Sequence, residues 1–373
     1  LELKTKKFAL SRKFGDAGKK DAMIQKNWWK LLSVMLLIYA FVVGMLVPLK
    51  PGVTSITPQT LKTGQKATCQ ITGYNTSFVH NASGNKVWLK LDDAHAVLAE
   101  DLRSENDNTM SATFVVPNVL PENKKMLDAT LIIDNDQDGA FPYPSAVTIS
   151  QDTVTNPTVE NWQAFSFAAL HTKQAMTYPF RNILEETIRN TYFHVPLWFA
   201  MMFLFLAACI FSFMHLRTQD KDYDIKAKTA TRVGILYGIL GCVTGAIWAK
   251  HTWGEYWSFD PKQNMSAICL LIYCAYFVLR GAFEDEEKRA RISAVYNIFA
   301  FAAMIPLLFV IPRMVASLHP GNGGNPAFGT QDLDNTMRMV FYPAIIGFTL
   351  FGAWLGQLDG RMERIEERMI DEE

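Results

Sequence analysis

Long apolar blocks alternate with short charged connectors along most of this chain, and the period of the pattern changes once. The blocks at 31–49, 195–214, 234–249, 266–283, 293–311 and 339–358 each approach the roughly 20 residues that a helix needs to cross a bilayer core. They predict six transmembrane helices. Between the first and second blocks the chain switches to short alternating runs at 66–71, 86–91, 111–116, 129–133 and 146–149, rich in Thr, Val and Ile. Turn residues punctuate them at Thr63-Gly64, Ser83-Gly84-Asn85 and Asn135-Asp136-Gln137-Asp138-Gly139. That rhythm predicts a small β-sandwich. The expected fold class is a membrane all-α protein of six transmembrane helices with a β-sandwich inserted between helices 1 and 2. The expected divisions are a basic tail (1–30), helix 1 (31–49), the sandwich (52–152), a connector (153–191), a five-helix membrane domain (192–360) and a charged tail (361–373).

Charge placement orients the helices. Formal net charge is zero, so nothing calls for nucleic acid, but the basic residues are unevenly spread. Residues 1–30, the connectors 217–232 and 284–291, and the tail 361–368 collect Lys and Arg. The positive-inside rule puts all of them, and both termini, in the cytoplasm. A cleaved signal peptide is the rival for the first block, but no small-residue cleavage site follows it. The sandwich, an aromatic stretch at 253–260 and the loop around His319 then share the external side. The five cysteines form no CxxC pair, which disfavours a disulfide framework or structural zinc. There is no CxxCH and no phosphate-binding GxxxxGK[ST] either. The acidic turn 134–138 lacks an EF-hand's later Glu and is expected to be a solvated turn.

Candidate chemistry gathers at the external boundary. Trp253-Gly254-Glu255-Tyr256-Trp257-Ser258-Phe259-Asp260 is too polar to span a membrane. If it coils, Trp253, Tyr256, Trp257 and Asp260 share one helix face, offering flat rings to a flat ligand. An interfacial anchor is the plainer alternative. Asp260-Pro261-Lys262-Gln263 also has the form of a helix start, with Asp260 as N-cap. Of the seven histidines, His80 and His95 fall in the sandwich, His171 in the connector and His215 at a cytoplasmic helix end. His194, His251 and His319 lie at the outer boundary. His194 and His319 bracket the aromatic stretch, an arrangement suited to haem, whose iron accepts axial imidazole. Arg189, Lys250, Lys262, Arg313 and Arg338 are the external cations available to propionates.

Trp253-Gly254-x-x-Trp257-x-Phe259-Asp260 resembles the WGxxWxWD signature of the tryptophan-rich haem-handling proteins of cytochrome c maturation. Tyr192-Phe193-His194-Val195-Pro196 and Ser317-Leu318-His319-Pro320 resemble two further elements of their CcmC branch. Tyr256 and Phe259 stand where that family often has Trp. The resemblance implies non-covalent b-type haem at the periplasmic face of a bacterial inner membrane. His194 and His319 would be axial ligands. Trp253, Gly254, Tyr256, Trp257, Phe259 and Asp260 would form the platform, with Arg313 toward the propionates. It also implies partners: an ABC transporter (CcmA/CcmB-like), a small membrane subunit (CcmD-like) and a CcmE-like chaperone that receives the haem. The protein would deliver haem rather than act as an enzyme. Separately, Ile56-Thr57-Pro58…Gly64-Gln65…Ile71-Thr72-Gly73-Tyr74 resembles immunoglobulin-like TIG/IPT modules, implying that topology for the insertion.

Two other readings compete. A CcsA-like cytochrome c synthetase shares the aromatic stretch but generally has more spans. A membrane receptor with a binding ectodomain accounts for the sandwich and gives no reason for the paired outer histidines.

Overall fold

The computed structural model describes residues 27–80, 84–151, 163–166, 168, 170–173, 176–319, 329 and 333–372. The basic tail before residue 27, part of the Ser83 turn, part of the connector and most of the Gly/Asn-rich loop after His319 lie outside them. The chain divides into two compact units, one formed by residues 1–46 with 187–373 and the other by 47–186.

The first unit is helical: α1 (Asn27–Leu46), α2 (His194–Thr218), α3 (Lys221–Trp253), α4 (Pro261–Gly281), α5 (Glu286–Ile305) and α6 (Asn335–Glu372). All six lie in segments long and apolar enough to cross a membrane. This is a multi-pass membrane protein. The helices run longer than hydropathy alone indicates. The 217–232 connector is mostly the first turns of α3, and Asp220, whose side chain accepts from the Asp222 N–H, is its N-cap. Likewise α5 starts at Glu286, inside the charged 284–291 stretch, behind Asp285 as N-cap. The fifth apolar block does not stay α-helical. Pro306 opens a π-helical turn, and Pro312 sits in a closing 3-10 turn.

Helix α2 packs against α3, α5 and α6. Four α3 glycines allow the α2–α3 approach. A Cβ on Gly234, Gly238, Gly241 or Gly245 would collide with Phe205, with Met201 and Leu270, with Trp198, or with His194 respectively. The α2 partners recur at helical spacing, so one glycine groove receives one ridge. In the bundle interior Asn297 (α5) donates to Ser212 of α2 at 3.1 Å and Thr231 of α3 at 3.2 Å. Arg280, in the last turn of α4, and Asp224, in the first turn of α3, are both buried and form a bidentate pair.

The second unit is a two-sheet sandwich. Its strands are β1 (Gly52–Thr57), β2 (Thr60–Lys62), β3 (Lys66–Tyr74), β4 (Lys86–Lys90), β5 (His95–Leu98), β6 (Asp101–Asn106), β7 (Thr109–Val115), β8 (Met126–Asn135), β9 (Gly139–Ser150) and β10 (Gln163–Ala164). One sheet has the order β1-β3-β7-β6 and the other β10-β5-β4-β8-β9-β2. Alternate residues of facing strands, among them Cys69, Ile71, Ala112 and Phe114 against Leu89, Leu131, Ile133 and Val147, make the core. The connector adds structure of its own. Phe165 packs edge-on to Trp88 with centroids 5.4 Å apart, covering the outer face of the six-stranded sheet with Ile132, Ala96 and Leu170. His171 is tied to Asp134 through its backbone N–H (2.9 Å) and ring Nδ1 (3.1 Å). The acidic turn is solvated only at its tip, Asp136 and Gln137: Asp134, Asn135 and Asp138 are buried. Asp138 accepts the Ser77 N–H at 2.8 Å, and Asn135 donates to Asn85 at 3.0 Å. Where the unit begins and ends, Lys50 N–H donates to Tyr178 O (2.7 Å) and Tyr178 N–H to Pro48 O (3.0 Å).

Candidate functional site

The aromatic stretch does not coil. Helix α3 stops at Trp253 because Gly254 takes φ 87°, a left-handed C-cap whose N–H returns to Lys250 O. Residues 254–260 are irregular, so the shared helix face expected for Trp253, Tyr256, Trp257 and Asp260 is not formed. The loop is pinned instead by its own hydrogen bonds to α4. Trp257 Nε1 donates to Asn264 Oδ1 at 3.2 Å, Ser258 N–H to Gln263 Oε1 at 2.9 Å, and Asn264 Nδ2 to Phe259 O at 2.8 Å. Phe259 is held at φ 56°, a region non-glycine residues seldom occupy. Its ring is 76% exposed and that of Tyr256 60%, while Trp253 and Trp257 are half-buried.

Asp260 is the buried centre of this region. As the N-cap of α4 it accepts the Lys262 N–H at 2.9 Å, as its position before Pro261 predicts. It also accepts from Ser317 Oγ (3.0 Å), Leu318 N–H (2.7 Å) and His319 Nδ1 (2.8 Å). Burial alone would raise this carboxyl, but the Leu318 N–H, the His319 ring, Ser317 and the Lys262 N–H together hold it below the usual carboxylate range. Burial also pulls His319 below the ordinary imidazole value, against the opposing influence of Asp260. Both directions describe one state, an anionic carboxylate receiving Nδ1–H from a neutral ring. Trp253 stands edge-on to that ring at 4.7 Å between centroids.

His194 opens α2 and reaches the same state by another route. Its Nδ1 lies 3.0 Å from Gly241 O and 3.1 Å from Thr244 Oγ1. A carbonyl oxygen only accepts, so Nδ1 carries the proton and Nε2 keeps its lone pair. Trp248 and Trp198 meet the ring edge-on at 5.8 and 6.3 Å, and Trp248 Nε1 donates to Thr187 Oγ1.

The remaining candidates separate. His251 is exposed. His80, His95 and His215 bond to Asp107, Asp92 and the Asp220 carbonyl, and His171 has a partner that the sequence did not reveal. Arg189 donates to Gly44 O, and Lys250 to Gly254 O. Arg313 is exposed and in no ion pair among the described residues. Sequence reasoning missed Trp198, Trp248, Gly241 and Gly245. Nothing in the motifs marks them, although the glycines' helical spacing along α3 was a visible signal.

Residues 150–372 match the family model for CcmC, heme exporter protein C. This chain belongs to the CcmC family. Among curated relatives, heme exporter protein C of Bradyrhizobium diazoefficiens is 27% identical over 187 residues, 49% of this chain and 69% of that protein. Heme exporter protein C of Escherichia coli K12 is 24% identical over 170 residues, 46% of this chain and 67% of the relative. A cytochrome c biogenesis protein CcsA from Synechococcus sp. CC9605 is 36% identical over 89 residues, but these are only 24% of this chain and 29% of the relative.

Proposed function

We propose that this haem-handling component of cytochrome c maturation holds its cargo between His194 and His319 and presents it to a haem-carrying chaperone. The observation that carries the reading is the shared protonation pattern of the two rings. Each Nδ1–H is committed to an oxygen acceptor, the Gly241 carbonyl or the Asp260 carboxylate, so each Nε2 is free to ligate iron. An acceptor behind a ligating His fixes its tautomer and orientation and raises its basicity. The surroundings fit a flat, amphiphilic macrocycle. Trp253 and Trp257 are half-buried, Tyr256 and Phe259 are exposed, Gly254 leaves room at the α3 terminus, and Arg313 is an available cation for a propionate. The family's WGxxWxWD residues thus serve partly as ring surface and partly, through Asp260, as the brace of an axial ligand.

The ligand pair is proposed to face the periplasm. The ends of α2 and α4 and the starts of α3 and α5, remote from the site, carry Arg217, Arg280, Lys221, Lys226, Lys228, Lys288 and Arg289, and such residues favour the cytoplasmic side. Both termini are then cytoplasmic, in a bacterial inner membrane. The work is binding and orientation: non-covalent b-type haem supplies the iron and vinyl chemistry when bound. An ABC transporter and a small membrane subunit are the proposed assembly partners. The CcsA reading is not favoured, because that likeness spans a small part of either chain.

Absorption spectra of the detergent-purified protein, oxidised and reduced, test the reading beside the His194→Ala/His319→Ala double variant. A Soret band with sharp reduced α and β bands, lost in the variant, is expected. Equal haem content and an unchanged spectrum in the double variant would refute axial ligation.

A further inference from the structure

Beyond Leu358, α6 continues as a charged helix whose two faces have different company. Toward α3, Asp359 pairs with Arg232 at 2.6 Å, Glu363 with Arg232 at 2.8 Å and with Lys228, Arg364 with Asp222, and Glu367 with Lys221 at 3.4 Å. Gly360 rests on Ile225 and Thr229. Away from α3, Leu358, Met362, Ile365 and Met369 stand 41%, 59%, 57% and 62% exposed. Their spacing of 4, 3 and 4 is the d-a-d-a pattern of a heptad seam. In that register Arg361 and Arg368 take g and Glu366 takes e, and all three are exposed. Helix α3 covers the outer positions b, c and f (Glu363, Arg364, Gly360 and Glu367) and the first e position, Asp359. The bundle therefore occupies the back of the heptad and leaves its seam open.

Lipid does not account for the whole stripe. The apolar part of α6 ends near Leu358, and Met369 lies about 16 Å farther along the axis at 1.5 Å per residue. The interfacial zone beyond the hydrocarbon is only roughly 5–7 Å deep on each side.

We propose that this face forms a parallel two-stranded contact with a second copy of this chain. Copies in one membrane share an orientation, so their tails leave it side by side and in the same direction. In a parallel heptad pair a g residue faces the e residue five positions on in the other strand. Here that places Arg361 of each copy opposite Glu366 of the other, twice by two-fold symmetry. The charges are opposite, and the apolar stripe is self-complementary. Two heptads would be marginal as free peptides. This helix is already braced along α3, and confinement to a membrane raises the effective concentration of the strands. The inference is independent of the haem reading.

The test is disulfide cross-linking of the full-length protein in native membranes, with the unsubstituted chain and its five cysteines as baseline. Ile365→Cys, at the seam, should give dimer above baseline, and Glu367→Cys, on the covered face, should not. Adding Arg361→Glu to Ile365→Cys should lower the dimer several-fold, and Arg361→Glu/Glu366→Arg together should restore it. Equal cross-linking at 365 and 367, none at 365, or no restoration by the charge exchange would overturn the proposal and leave the stripe to lipid or to another protein.

Discussion

Gly245→Ala is the most discriminating single change, because one added methyl group meets a proposed iron ligand. Its Cβ would stand 2.6 Å from His194 Cε1 and 3.2 Å from Nδ1, whereas carbon atoms rest at about 3.5–4.0 Å. The ring must retreat by roughly 1 Å, and it is held by Gly241 O and Thr244 Oγ1 and flanked by Trp198 and Trp248. Overpacking of this kind costs about 1–3 kcal/mol. Alanine's better helix propensity returns up to about 1 kcal/mol, so global stability should change little. Haem retention should change more. If the strain is relieved by displacing the imidazole, affinity falls by about 5–100-fold at 1.4 kcal/mol per decade, and the low-spin reduced bands weaken. Gly234→Ala is the control, since its Cβ would stand 2.4 Å from Phe205 Cε1, an equal clash away from the ring. Haem titration with reduced spectra and thermal unfolding of all three proteins decides the matter. A Gly245→Ala protein with wild-type haem affinity and spectrum would refute the claim that this glycine seats His194.

Two other substitutions separate bracing from packing. Asp260→Asn keeps the shape and one acceptor oxygen, but it removes the negative charge behind His319 Nδ1–H and sets an amide against the Leu318 N–H. Haem affinity should drop about 10–100-fold, as for other partners of ligating histidines, and an unchanged titration would count against the brace. In the sandwich, Asp134→Ala removes the buried carboxylate that accepts from the His171 N–H and ring and should destabilise that unit by about 1.5–3 kcal/mol, as for hydrogen bonds to charged groups. Faster amide exchange across residues 170–173, with the helical bundle unaffected, is the expected signature. Uniform protection would show that Phe165 and Leu170 suffice to hold the segment.

Much of the architecture was legible because the bilayer and the pleat impose strong periods. Each of the six apolar blocks overlaps a membrane-length helix and each of the five alternating runs a strand, although the first block runs three residues beyond α1 and the fourth two beyond α4. The short strands β2 and β5 and the polar edge strand β6 carry too little apolar alternation to stand out. Helix starts were misjudged where charged residues open the helix, as in α3 and α5, whose first turns were assigned to connectors. At the site, the motifs marked His194, His319 and Asp260 but not their connections. The Asp260–His319 bond joins residues 59 positions apart, and the His194–Gly241 bond spans 47. The aromatic stretch has helical spacing, yet Gly254 ends the helix before that spacing can operate.

The backbone bonds between Pro48, Lys50 and Tyr178 tie the first residues of the β unit to a segment well past its long strands. The Leu49–Tyr178 bridge is parallel, so the chain runs the same way at both places, and the unit continues to Glu186. The β unit is thus closed by its own backbone. Its limits are read best from where the entering and leaving segments meet, beyond the point where the alternating sequence pattern fades.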